Sequence, residues 1–122
     1  MKKIKILIVE DEVLIAQCLK MDLELMGFDV CDSVASGEEA IIKAKENNPD
    51  VILMDINLAG ELDGIEAATE IVKYKNIPIM FCTGYGNKEL VDRAQKIKPV
   101  AFLRKPIIIT EVQTFINSIF SV

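Results

Sequence analysis

Five side chains in this sequence could do chemistry together: Glu10, Asp11, Asp55, Thr83 and Lys105. Each stands at the end of a short apolar run, in "IKILIVED", "VILMD", "IMFCTG" and "AFLRKP". Three carboxylates gathered in one place repel each other and take up protons unless a cation joins them. A ligand set of oxygens, without thiolate or imidazole, suits a hard ion such as Mg²⁺. A divalent ion beside a carboxylate, with an ammonium and a hydroxyl opposite, also stabilises a phosphoryl group by neutralising its oxygens. In such a pocket Asp55 is either a third metal ligand alone or a nucleophile that accepts phosphate as well.

Taken singly, each residue has an ordinary reading. Glu10, Asp11 and Glu12 suit a solvated helix start, where the helix dipole favours acids. Asp55 could cap a turn, Thr83-Gly84 could be turn chemistry, and Lys105-Pro106 is a common surface dipeptide. Their occurrence in order, each at a strand end, outweighs those separate readings.

The elements that would position them alternate along the chain. Ile4–Val9 reads as a buried strand, and Glu12 to Met26 as a helix with Val13, Ile15, Ala16, Leu19, Leu23 and Met26 inward, ended by Gly27. Phe28–Val34 is a second strand, and Ser36 with Glu39 predicts a capping box for a helix carrying Ala40, Ile41 and Ala44. After the "NNPD" turn come a strand at Val51–Met54 and a helix from Gly64 to Lys75, with Ile65, Ala68, Ile71 and Val72 inward. Ile77–Cys82 is a fourth strand, and a helix from Asn87 to Ile97 follows it. Val100–Leu103 is a fifth strand, and Thr110 is expected to cap a last helix bearing Val112, Phe115, Ile116, Ile119 and Phe120. Five such β–α units predict one α/β domain over residues 1–122, a parallel sheet with helices on two faces and right-handed crossovers. If the first, third, fourth and fifth strands are neighbours, their carboxyl ends form one pocket.

Composition narrows the function further. At 122 residues the chain is long enough for one real core. Its 51% hydrophobic and 27% charged residues describe a compact globule. The net charge of −5 argues against a phosphate-neutralising surface, so direct nucleic-acid binding is not expected. The three cysteines, Cys18, Cys31 and Cys82, lack metal-ligand spacing and predict packed, reduced thiols in a cytoplasmic protein. The absence of histidine removes Ser-His-Asp hydrolysis and any role as a phosphohistidine carrier. No apolar run reaches the ~20 residues of a membrane helix. The start "MKKIKILIVED" reads as a first strand rather than a secretory signal, because Lys5 breaks the run and three acids end it.

These residues together resemble the receiver domain of two-component response regulators, over essentially the whole length. The match lies in Glu10-Asp11, "LMD" ending at Asp55, Asp63-Gly64, Thr83-Gly84 and "AFLRKP" (101–106). The resemblance implies a doubly wound, flavodoxin-like fold with strand order 2-1-3-4-5. It implies that Asp55 accepts a phosphoryl group from a phosphohistidine on a sensor histidine kinase or a histidine phosphotransfer protein. Asp11, Asp55 and the backbone carbonyl of Asn57 would bind Mg²⁺ (or Mn²⁺), with Glu10 acting through water. Lys105 would contact the phosphoryl oxygens, and the bond before Pro106 would be cis. Thr83 and Phe102 would switch the face of helix four, strand five and helix five toward a downstream effector or a second copy, as in a homodimer. Asn57 and Tyr85 would tune how long the phosphate lasts. On this reading the chain is a switch, not an enzyme, beyond its own phosphorylation and slow autodephosphorylation.

Some features depart from the family's common pattern. Leu58 and Ala59 stand where many receivers have a proline, and the loop from Asp55 to Asp63 is one residue longer than the usual spacing. A phosphatase of the haloacid dehalogenase type also uses a strand-end aspartate, with a second aspartate two residues on, where this chain has Asn57. A receiver-like fold used only for docking is the other rival, and the complete set of site residues argues against it. The chain is expected to be a stand-alone regulator or a receiver cut from a longer protein.

Overall fold

The computed structural model describes residues 3–84, 88–99 and 101–120. Five strands and five helices alternate: β1 (Lys5–Val9), α1 (Val13–Leu25), β2 (Asp29–Val34), α2 (Gly37–Asn47), β3 (Val51–Asp55), α3 (Gly64–Tyr74), β4 (Ile79–Thr83), α4 (Lys88–Gln95), β5 (Ala101–Arg104) and α5 (Ile109–Phe120). The strands pair in parallel in the order β2-β1-β3-β4-β5. The parallel sheet covered on two faces is what the alternation predicts, and the flavodoxin-like order is the one the family resemblance implies.

Strand side chains alternate between faces, so each strand feeds two cores. Leu7, Val9, Ile52, Met54 and Phe81 pack with Ala40, Ala44, Ile65, Ala68 and Ile71, placing α2 and α3 on one face with Ala94 of α4. Ile6, Ile8, Leu53 and Met80 pack with Leu19, Leu23, Val112 and Ile116, placing α1 and α5 on the other. All residues of β3 and β4 are buried, as expected for central strands covered on both faces. Among the described residues no helix is long and apolar enough to cross a membrane.

Several local expectations are corrected. Val13 and Ile15 are 65% and 37% exposed, because the buried stripe of α1 runs instead through Ala16, Leu19 and Leu23. The excess of apolar residues on α1 had made its inward face ambiguous. Cys18 is exposed rather than packed, whereas Cys82 is buried under the sheet's end. Thr110 lies inside α5 and does not cap it; its carbonyl accepts from the Thr114 hydroxyl at 2.9 Å. Ser36 does cap α2, accepting from the Glu39 N–H at 3.2 Å, but its hydroxyl donates to the Glu39 carboxylate, so the box is not reciprocal. The reciprocal box belongs to α3, between Asp63 and Glu66. Asn87, the expected start of the fourth helix, lies outside the described residues, and that helix stops at Gln95.

The contact that positions the site most tightly is made by Gly64. Its N–H donates to the Ile56 carbonyl at 2.8 Å, and a Cβ at this position would sit 2.0 Å from the Asp55 carbonyl oxygen. Only glycine lets α3 start this close to the end of β3. Gly64→Ala is therefore expected to destabilise the protein by about 2–4 kcal/mol, as an overpacked backbone contact does. Gly84→Ala, where a Cβ meets nothing within 4 Å, should cost far less in the same urea-unfolding comparison.

Candidate functional site

The parallel ladder gathers the strand-end residues along one edge. Val9 pairs with Met54, and Asp55 with Cys82, so Glu10 stands beside Asp55 one residue past its strand. Thr83 pairs with Arg104, and the Lys105 N–H donates to the Thr83 carbonyl at 2.9 Å. Oxygens of Glu10, Asp11 and Asp55 all lie within 4.8 Å of one another. Lys105 Nζ donates to Asp55 Oδ2 at 2.9 Å and lies 3.3 Å from Glu10 Oε1.

The electrostatics of this cluster are unbalanced. Asp55 is 2% and Glu10 4% exposed, so both carboxylates have left most of their water. Two unit charges no more than 4.8 Å apart repel by at least about 3.5 kcal/mol at a protein site's effective dielectric. Among the described residues Lys105 is the only cation ion-paired within this cluster, and it reaches Glu10 and Asp55. The imbalance shows in Glu10, whose carboxyl is pushed up to about 7, chiefly by burial, against the Glu12 N–H that lowers it and with the Asp55 charge adding. Burial alone would lower Lys105, but the hydrogen bond and charge of Asp55, with Glu10, raise it above its usual value.

A second imbalance concerns Thr83. Its Oγ1 is buried and has no hydrogen-bond partner among the described residues. An orphaned hydroxyl costs about 1–3 kcal/mol, a cost that a group bound at the strand ends would offset. An all-oxygen set of three carboxylates with excess negative charge and an open flank, where Asp11 is half-buried, fits a hard divalent ion that keeps waters.

The remaining predicted residues are placed as follows. Asn57 is exposed, and its N–H donates to Asp55 Oδ1 at 3.1 Å. Phe102 is half-buried and stacks on Phe81 with centroids 5.9 Å apart. The Lys105–Pro106 bond is cis. Tyr85 lies outside the described residues.

The segment Leu58–Leu62, which lacks a proline, is held by the Asp11 side chain and by Glu38, a residue the sequence reading did not single out. Gly60 takes φ +107, the Ala59 N–H donates to Asp11 Oδ2 at 3.2 Å, and the Leu62 N–H donates to Glu38 Oε1 at 3.0 Å. The capping box of Asp63 and Glu66 was legible as an acid three residues before a glutamate. Glu38 gave no such signal, because its partner is 24 residues away.

Residues 6–117 match the family described as the response regulator receiver domain. The transcriptional regulatory protein PdtaR of Mycobacterium tuberculosis is 34% identical over 108 residues, covering 88% of this chain and 52% of that protein. The chemotaxis protein CheY of Thermotoga maritima is 33% identical, covering 94% of this chain and 96% of its own. The chain thus spans about half the length of PdtaR but nearly all of CheY. Among solved structures, the receiver domain of a modulated diguanylate cyclase from Desulfovibrio desulfuricans superposes with TM-score 0.90 at 37% identity, covering 96% of this chain and 93% of that one. A CheX–CheY–BeF3–Mg²⁺ complex from Borrelia burgdorferi superposes at 0.86 with 29% identity, covering 95% and 88%.

Two outcomes follow from the charge distribution. Without divalent metal, Glu10 stays protonated in the folded protein up to about pH 7 but ionises near its ordinary 4.5 when unfolded. The folded state then binds the extra proton, so the stability Glu10 contributes is fully present below 4.5 and falls as pH rises to about 7. Denaturant melts in chelator should show Glu10→Gln gaining on the wild type across that window and levelling off above it. The second outcome concerns thiols: burial pushes Cys82 far up, so alkylation of the native protein should modify Cys18 and spare Cys82 until the chain unfolds.

Proposed function

The chain belongs to the response regulator receiver domain family, and from that premise we propose that it is a phosphorylation-activated switch with Asp55 as phosphoacceptor. Members of this family are signalling switches rather than conventional enzymes. The observation that carries the reading is the pairing of a buried, under-compensated Asp55 with Lys105 at 2.9 Å, beside an orphaned Thr83 hydroxyl.

The donor is a phosphohistidine on a sensor histidine kinase or phosphotransfer protein. Its P–N bond breaks as a P–O bond forms to the Asp55 carboxylate, and the imidazole leaves. Asp11, Asp55 and the Asn57 carbonyl, with Glu10 through a water, would hold Mg²⁺ or Mn²⁺, which when bound neutralises charge on the phosphoryl oxygens. Lys105 exchanges its bond to Asp55 Oδ2 for a phosphoryl oxygen, so the ammonium is already within reach of the group it must stabilise. The Thr83 hydroxyl gains the acceptor it lacks. As that residue moves, Phe102 leaves its stack on Phe81 and turns inward, repacking the face of α4, β5 and α5 that a downstream partner reads. Asn57 and Tyr85 flank the incoming water and set the lifetime of the phosphate. A similar chain solved in a complex with CheX, BeF3 and Mg²⁺ supports a metal-dependent site and a protein partner. The switch works in the cytoplasm and does not itself bind nucleic acid.

Acetyl phosphate with Mg²⁺ should shift the wild type on a Phos-tag gel, and Asp55→Asn should abolish the shift. Absence of a shift with every donor would leave a docking module, and continuous turnover of small phosphoesters would mean a phosphatase. Lys105→Ala should still bind Mg²⁺ yet lose downstream output, whereas Asp11→Ala should lose Mg²⁺ affinity by at least tenfold, the scale expected for a removed ligand.

A further inference from the structure

The segment between β3 and α3 carries the Asn57 carbonyl that would hold the metal and a contact to the Asp11 carboxylate, yet its anchor lies on a different helix. Asn57 and Ala59 lie two and four residues past Asp55, and the Ala59 N–H holds Asp11 Oδ2 at 3.2 Å. A carboxylate oxygen fixed by an N–H cannot rotate freely, so Ala59 orients Asp11. Ala59 is itself exposed and has little packing to hold it. The fixed point comes three residues later, where Glu38 in the first turn of α2 accepts the Leu62 N–H at 3.0 Å.

The surroundings are shaped for this contact. Gly60 turns with φ +107, and a Cβ there would stand 3.4 Å from Glu38 Oε2, so the bare backbone passes under the carboxylate. On the helix side, a Cβ at buried Gly37 would meet Leu62 Cβ at 3.0 Å, so α2 is seated directly on the segment. The amide protons of Asn57, Leu58, Ala59, Leu62 and Asp63 all have acceptors, and only those of Ala59 and Leu62 reach outside the neighbourhood of β3 and α3. One goes to the acidic cluster and the other to Glu38.

We propose that Glu38 is a positioning residue for the metal site: it orders the β3–α3 segment from α2, and that order presents Asp11 and the Asn57 carbonyl to Mg²⁺. The proposal rests on the reading of the acidic cluster as a Mg²⁺ and phosphoryl site. A segment already ordered binds its ion without the entropy of being fixed, so the effect falls on affinity rather than on the chemical step.

The test titrates Mg²⁺ alone into the wild type, Glu38→Ala and Glu38→Gln by calorimetry. It also measures the Mg²⁺ dependence of Asp55 phosphorylation by acetyl phosphate. Glu38→Ala should weaken Mg²⁺ binding roughly two- to fivefold, the factor commanded by one exposed net hydrogen bond, and leave the rate at saturating Mg²⁺ unchanged. Glu38→Gln keeps an oxygen to accept the Leu62 N–H and should restore the wild-type affinity. Amide exchange at Leu62 and Ala59 should accelerate in the alanine variant only. Unchanged affinity in Glu38→Ala would overturn the proposal, as would a glutamine variant as weak as alanine, since the charge and not the hydrogen bond would then matter. A wild type that binds Mg²⁺ but accepts no phosphate would overturn the receiver reading and leave the role of Glu38 to be decided by calorimetry. A wild type that does not bind Mg²⁺ would overturn both.

Discussion

The structure depends on burying two carboxylates that, among the described residues, only the Lys105 ammonium answers. Asp55 and Glu10 are almost wholly removed from solvent, and Lys105 reaches both. Removing two carboxylates from water without full compensation is costly, and stability alone would favour apolar residues here. The fold tolerates the cost because β3 and β4, buried along their whole length, hold the strand ends in place. Negative charge left uncompensated at a rigid edge favours a hard cation there.

Around that edge, each supporting element approaches unusually closely. Gly64 places the start of α3 against the Asp55 carbonyl, and the reciprocal cap of Asp63 and Glu66 begins the helix there without a spacer residue. Arg93 of α4 reaches Asp63 Oδ2 at 3.3 Å, an exposed pair worth little by itself but one that ties α4 to the same junction. Gly37 does for α2 what Gly64 does for α3, with Leu62 as the residue met. The longer loop without proline is therefore a well-bonded segment, its turn supplied by the left-handed Gly60 rather than by a fixed proline ring.

The second hydrophobic face tells a different story. Val13, Leu14, Met21 and Leu25 on α1 are exposed although apolar, while Ala16, Leu19 and Leu23 make the contacts with the sheet. A helix with more apolar residues than one face can bury cannot be oriented by its period, and this is why Val13 and Ile15 were misplaced. Helices with a cleaner pattern, such as α3, had their inward residues Ile65, Ala68 and Ile71 identified correctly.

The alternation of strands and helices, the doubly wound class and the acids, hydroxyl and lysine of the candidate site were all legible in the amino-acid order. Those follow from short-range patterns: β-branched runs, apolar periodicity, and a polar residue breaking each run at the same place. Tertiary structure decided what depends on separation in space. The Glu38 carboxylate meets Leu62, a Cβ on Gly64 would strike Asp55, the Thr83 hydroxyl finds no partner among the described residues, and Lys105 bonds to Asp55 fifty residues away. None of these has a local signature, because a hydrogen bond or a steric limit between distant residues exists only once the parallel ladder has fixed which strand ends are neighbours.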